Sequence, residues 1–257
     1  MVNVLVCVKR VPNTSGEVLL TEDAQAVDAR HVGFTVSPHE ECAVELATQI
    51  AGATGGDATV LSLGSSDAVE QLRNALAVGC SDAVLIEAES ERFGPADVAA
   101  AIADLVRARE SEGTGYDLVL LGNDAADTGD FQVAVRLAYA LARPVLTGIS
   151  TCEVHGDAVV ARGDGPEGTE IFELPLPAVV AVMEGGVTPR YPSIPGRMKA
   201  KRAPLETVTS NIDPGGSGRV RLKLPPSQPS IVEILGEGPE AAPAVVDLLT
   251  RIGVVAR

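Results

Sequence analysis

Four largely apolar stretches mark the first half of the chain, at residues 2–8, 59–63, 83–86 and 118–121. Each is too short for a helix and none alternates with polar positions, the pattern of strands buried on both faces of a parallel sheet. Between them the apolar positions recur every three or four residues. Ala43, Val44, Ala47, Ile50 and Ala51 form one such stripe, opened by Ser37-Pro38-His39-Glu40. Serine at the cap, proline at the first helical position and glutamate three residues after the serine make a capping box. Val69, Leu72, Ala75 and Leu76 predict a second helix over 67–78. Val98, Ile102, Leu105 and Val106 predict a third starting near Pro95, and a fourth is expected over 130–141.

Strand alternating with helix predicts an α/β fold: a doubly wound parallel sheet with right-handed crossovers. Such sheets bind ligands outside the carboxyl ends of the strands, where the strand order reverses. The loops after residues 8, 63 and 121 are therefore the candidate site.

Past residue 145 the texture changes. Short strands over 151–154, 158–161 and 169–174, with turns at 155–157 and 163–166, predict a small antiparallel extension, followed by one more buried strand over 176–182. Beyond Gly185 the chain reads as extended and rich in proline and basic residues, and 213–218 reads as a flexible Pro-Gly linker. A last helix over 241–252 puts Val245, Leu248, Leu249 and Ile252 on one side. Such a stripe cannot cover itself, so the expected division is an α/β domain over 1–204 and, over 205–257, an extended C-terminal arm that packs on a partner.

Composition narrows the picture. Hydrophobic residues make up 46% of the chain, enough for a sizeable core, but aromatics are only 3% and tryptophan is absent, so that core must be aliphatic. The net charge of −15 argues against binding nucleic acid or an anionic membrane, because neither polyanion is drawn to an acidic surface. No apolar run approaches the roughly 20 residues of a membrane-spanning helix, so no stable membrane insertion is expected. The apolar start reads as a first strand rather than a targeting segment. Cys7, Cys42, Cys80 and Cys152 form no CxxC pair and read as reduced thiols of a cytoplasmic protein.

The candidate chemistry lies in three places. The segment 118–133 leaves a strand through Gly122 and enters a helix near Asp130, where backbone amides can cradle a phosphate. Asp124, Asp127 and Asp130 in the same loop leave three readings open: carboxylates that grip ribose or turn outward, carboxylates that hold Mg²⁺, or solvated aspartates of a capped loop. Lys9 and Arg10 end the first strand and either face a ligand phosphate or are simply solvated. The segment 189–204 gathers Arg190, Arg197, Lys199, Lys201 and Arg202 without a single acid, and Ile194 stands between Pro192 and Pro195. It reads either as a docking device, an apolar anchor inside a cationic guide, or as a plain linker whose isoleucine packs inward. No GxGxxG follows the first strand, no GxxxxGK[ST] is present, and His31, His39 and His155 have no metal-ligand spacing. The absence of a catalytic constellation favours a binding subunit over an enzyme.

Taken in order, Val6-Cys-Val-Lys-Arg-Val-Pro12, Ser37-Pro38 with Ala43-Val-Glu45, the loop 122–133, Leu176-Pro-Ala-Val-Val180 and Pro189-Arg-Tyr-Pro-Ser-Ile-Pro-Gly-Arg-Met-Lys-Ala-Lys201 resemble the beta subunit of an electron transfer flavoprotein. The resemblance covers about residues 1–204. It implies a Rossmann-like domain of the adenine-nucleotide-binding type. It also implies an alpha subunit holding the redox-active FAD, AMP or a second FAD in this chain, and flavoprotein dehydrogenases such as acyl-CoA dehydrogenases as electron donors. The nucleotide positions it implies are Cys7, Ser37, Pro38, Leu63, Gly122, Asn123, Asp124, Asp127, Thr128, Gly129, Asp130, Gln132 and Val133. Arg162, Thr14 and His39 would approach the partner's flavin. Ile194, Pro195, Arg197, Lys199 and Lys201 would meet the dehydrogenase. Gly129, Ala134 and Asp124 depart from the family's usual Asp, Gly and Gln. A stand-alone adenine-nucleotide-binding regulatory protein of similar fold is the alternative.

Overall fold

The computed structural model describes residues 1–13, 18–226 and 232–255, and Thr14 lies outside the described residues. In chain order the elements are β1 (Val4–Cys7), β2 (Val11–Pro12), β3 (Phe34–Thr35), α1 (Pro38–Thr54), β4 (Ala58–Gly64), α2 (Val69–Val78), β5 (Asp82–Glu87), α3 (Pro95–Ser111), β6 (Leu118–Gly122) and α4 (Val133–Leu141). They continue with β7 (Val145–His155), β8 (Ala158–Gly165), β9 (Gly168–Pro175), β10 (Ala178–Val182), α5 (Ile194–Arg202), β11 (Glu206–Thr209) and α6 (Ala242–Arg251).

Nine strands form one sheet in the order β11-β5-β4-β1-β6-β10-β7-β8-β9. All neighbours are parallel except β7–β8 and β8–β9. The expected antiparallel extension is thus the far edge of the main sheet, with longer strands than the pattern suggested. Its second turn falls at Pro166-Glu167 rather than at 163–166. β2 and β3 pair separately, antiparallel.

Strand residues alternate between two cores. Val4 and Val6 point to the face covered by α1 and α2, while Leu5 and Cys7 point to the face covered by α3 and α4. Burial on both faces is why β1, β4, β5 and β6 read as nearly continuous apolar runs. From β1 the chain winds outward through β4 and β5, then returns through α3 to β6 on the other side of β1. The order reverses between β1 and β6, and that switch point opens the crevice where the site is built.

Within the segment 189–204, α5 replaces most of the expected extended loop, and 189–193 lead into it without regular structure. Ser193 caps α5, accepting from the Gly196 N–H at 3.1 Å, and Pro195 fits the first turn, so the prolines that suggested extension act as a helix start. Residues 205–222 also belong to the main body. β11 pairs in parallel with β5, and the expected linker is pinned where Asp97 accepts the N–H groups of Gly215 (3.1 Å) and Gly216 (2.9 Å). The compact body therefore runs over 1–222, and the remaining 223–257 form a separate unit carrying α6, on which no side chain is buried. No described helix is long and apolar enough to cross a membrane.

Candidate functional site

The first turn of α1 closes one side of the crevice. The capping box forms as its sequence dictates: Ser37 Oγ accepts from the Glu40 N–H at 3.2 Å and Glu40 Oε2 accepts from the Ser37 N–H at 2.9 Å. The other carboxylate oxygen reaches across the crevice floor and accepts the Lys9 N–H at 2.8 Å, tying the end of β1 to α1. Burial pushes the Glu40 carboxyl up to about 7, against the opposing pull of these N–H donors. Gly122 ends β6 directly beneath. A Cβ there would sit 2.8 Å from Glu40 Cγ and 3.2 Å from His39 Cβ, so a larger residue could not hold this close approach.

The loop after β6 forms the opposite wall. Asn123 is spoken for, its Oδ1 accepting from the Gly148 N–H at 2.8 Å and its own N–H donating to Val182, which fixes the loop root across β10 and β7. Gly129 then closes a tight turn on the Ala125 carbonyl at 2.7 Å. Asp127 takes the Lys9 ammonium at 2.7 Å, a pair that spans the crevice. His39 Nδ1 accepts from the Glu184 N–H at 2.9 Å. Its Nε2 stands 2.9 Å from Asp124 Oδ1, an ion-pair distance off the line of a hydrogen bond, so this buried Oδ1 has no hydrogen-bond partner among the described residues. Arg10 stacks on the Phe34 ring, 3.3 Å from its centroid.

α4 starts at this wall without a side-chain cap and without an acid in its first turn. Its first amides are open donors at the positive end of the helix. Gln132 precedes them, its Oε1 taken by Arg136 at 2.8 and 3.0 Å. The fourth helix starts three residues later than the pattern suggested, leaving Asp130, Phe131 and Gln132 in the loop.

Of the residues implied by resemblance, the structure gathers Cys7, Ser37, Pro38 and the loop Gly122–Val133 around one crevice, with Leu63 at the end of neighbouring β4. Cys7 is a buried floor residue, its thiol driven far up by burial and by the nearby Glu40 carboxylate. Arg162 stands apart. It lies on β8, three strands from β6, about 14 Å by strand spacing, and pairs with Glu153 at 3.1 Å. No group of three His, Cys, Asp or Glu side chains among the described residues is placed to hold a metal ion. Sequence reasoning missed Phe131, held at φ +51° with its ring 59% exposed. A bulky residue in left-handed backbone is uncommon, so no propensity signal could have found it. In the 189–204 segment Ile194 is 80% exposed, so it does not pack inward.

A doubly wound α/β domain with an open helix start at its switch point is the class of protein these features define. Residues 26–213 match the family model of the electron transfer flavoprotein domain. The chain is 34% identical to the electron transfer flavoprotein subunit beta of Bacillus subtilis, over 96% of this chain and 97% of that one. It is 31% identical to the subunit of the same name from Syntrophomonas wolfei (91% and 90% covered) and 32% identical to that from Mycobacterium leprae (92% of each). The chain belongs to the electron transfer flavoprotein family, as a beta-type subunit.

Proposed function

We propose that this chain pairs with an alpha subunit that holds FAD, and that the heterodimer carries electrons in the cytoplasm from flavoprotein dehydrogenases, such as acyl-CoA dehydrogenases, to an acceptor. The chain itself makes no bonds. Its crevice holds an adenine nucleotide, AMP or a second FAD. The uncapped start of α4 at the switch point carries this reading, because open amides at the positive end of a helix suit a phosphate. Lys9 neutralises Asp127, one of the three aspartates that would otherwise repel that phosphate. Asp124 Oδ1 is a buried acceptor suited to a ribose hydroxyl. Ser37, Pro38, Leu63, Asn123, Thr128, Gly129, Asp130, Gln132 and Val133 complete the walls, while Arg162 and His39 face the partner's flavin.

α5 is the dehydrogenase-docking element. Gly196 and Ala200 face α2, so Ile194 and Met198 fall on the outer side, beside Tyr191, which is 94% exposed. Pro195 stiffens its first turn, and Arg197, Lys199 and Lys201 surround the apolar tip. The exposed Val245, Val246 and Ile252 of the terminal unit suit burial against the alpha partner. Mass spectrometry of ligand released from the denatured heterodimer tests the crevice. AMP or FAD at one equivalent beyond the alpha-bound FAD supports it, and no second nucleotide overturns it. A nucleotide-bearing homodimer without an FAD partner would favour the regulatory-protein alternative.

A further inference from the structure

Between β10 and α5 the chain crosses α1 as a strap, fastened at three points. His39 Nδ1 accepts from the Glu184 N–H at 2.9 Å, Cys42 Sγ lies 3.4 Å from the Val187 carbonyl, and Glu45 takes Arg190. The spacing is the same on both partners: 39, 42 and 45 on one face of α1, 184, 187 and 190 on the strap. The third fastening is far the strongest. Glu45 Oε1 accepts from Arg190 Nη2 at 2.6 Å, and its Oε2 accepts from Arg190 Nε at 2.8 Å and from the Arg190 backbone N–H at 3.2 Å. The Gln49 amide, at 2.7 Å, helps to saturate the same carboxylate, which is 96% buried. Four residues further on α5 begins. Its far end is held by Arg73 of α2, which donates to the Ala200 and Ala203 carbonyls.

We propose that Glu45 and Arg190 are positioning residues that aim α5, and that Arg190, although it belongs by sequence to the cationic cluster, acts inside the chain rather than on the dehydrogenase. The inference rests on the reading of α5 as the docking element. Its physical basis is preorganisation: a docking tip fixed at both ends loses little freedom on binding, so loosening one end weakens binding without removing any contact. The guanidinium fork is what fits the buried carboxylate, and an ammonium of equal charge cannot make both contacts at once.

The test uses the FAD-loaded heterodimer with Glu45→Gln and Arg190→Lys variants, neither of which leaves a buried charge without a counter-charge. Hydrogen–deuterium exchange is followed over 184–203, and electron transfer is measured with a short-chain acyl-CoA dehydrogenase, reduced by its acyl-CoA, as donor. Both variants should exchange faster across 184–203 while 4–7 and 58–64 stay protected. Both should raise KM for the carrier about fivefold to tenfold, with kcat, released nucleotide and the ionic-strength dependence of association unchanged. Exchange unchanged in both variants overturns the inference. Wild-type KM in Arg190→Lys overturns it too, since charge alone would then suffice. Ile194→Ala, run beside them, separates the two levels. If it leaves KM unchanged while exchange in the other variants speeds up, the docking reading fails and the fastening stands.

Discussion

Glu40 and Glu45 stand five residues apart on α1, both almost wholly buried, and they end in opposite electrostatic states. At Glu40 burial wins, and two backbone N–H groups do not prevent the carboxyl from rising to about 7. At Glu45 burial also pushes upward, but the hydrogen bonds of the Arg190 side chain, helped by Gln49, overcome it and hold the carboxyl below the usual range. The difference lies in the forked hydrogen bonds that the Arg190 guanidinium donates to both Glu45 oxygens, for which Glu40 has no counterpart. Glu40 has a cation near it, but the Lys9 ammonium is engaged by Asp127. The Glu40 carboxyl is therefore raised towards neutrality, while that of Glu45 is held low.

The largest expected effect separates these two carboxylates by pH. A buried carboxyl with a raised folded value binds a proton that the unfolded chain releases, so its contribution to stability falls as pH rises from the ordinary value of 4.5 through about 7. Glu40→Gln removes that term. Relative to wild type the variant should gain up to about 3 kcal/mol between about pH 5 and about pH 8, read by denaturant unfolding at several pH values. A constant difference would show that Glu40 does not titrate in the native state.

Arg190→Ala leaves the Glu45 carboxylate buried without its cation. Half of Arg190 is exposed, which discounts the loss to about 2 kcal/mol at neutral pH. In wild type the Glu45 value is depressed, so the pair's contribution is present above the ordinary carboxylate range and lost as pH falls through the depressed folded value. The deficit of Arg190→Ala should therefore shrink towards acid pH, opposite in sense to the Glu40 effect. A pH-independent deficit would break the comparison.

At the tip of α5, Ile194→Ala should weaken dehydrogenase docking by about tenfold, equivalent to about 1.4 kcal/mol, with nucleotide content unchanged. Stopped-flow electron transfer across ionic strengths reads it. The smallest effect is expected at Asp97, where burial raises the carboxyl but the N–H groups of Gly94, Gly215 and Gly216 outweigh it and hold it low. Asp97→Asn keeps part of this set and should cost only about 0.5 kcal/mol, with faster amide exchange confined to Gly94 and 213–218. Protection of that segment equal to wild type would show that the pin is dispensable.

The strands and helices of the first half were legible because each rests on a local rule. Largely apolar runs mark two-sided burial, and Ser37, Pro38 and Glu40 are a complete helix start. The crevice was legible for a related reason, since strand–helix alternation puts the ends of β1 and β6 together at the switch point. The segment 189–204 reads as extended because Pro192 and Pro195 break helices in general, yet Pro195 stands within the first turn after Ser193, where proline costs nothing. The segment 213–218 reads as a free linker because the Pro-Gly pattern does not reveal Asp97, more than a hundred residues earlier.

The sequence by itself determined the order of elements, the apolar faces, the capping box and the family motifs, because period, propensity and short motifs act over a few residues. Tertiary structure alone decided which charges are paired. Arg190 and Lys199 look alike in the chain, but one lies against a carboxylate brought to it by the third turn of α1 and the other faces solvent. Glu40 and Glu45 likewise differ only in what folding places opposite them. Coulomb and desolvation energies depend on distance and burial in three dimensions, and no spacing along the chain records either.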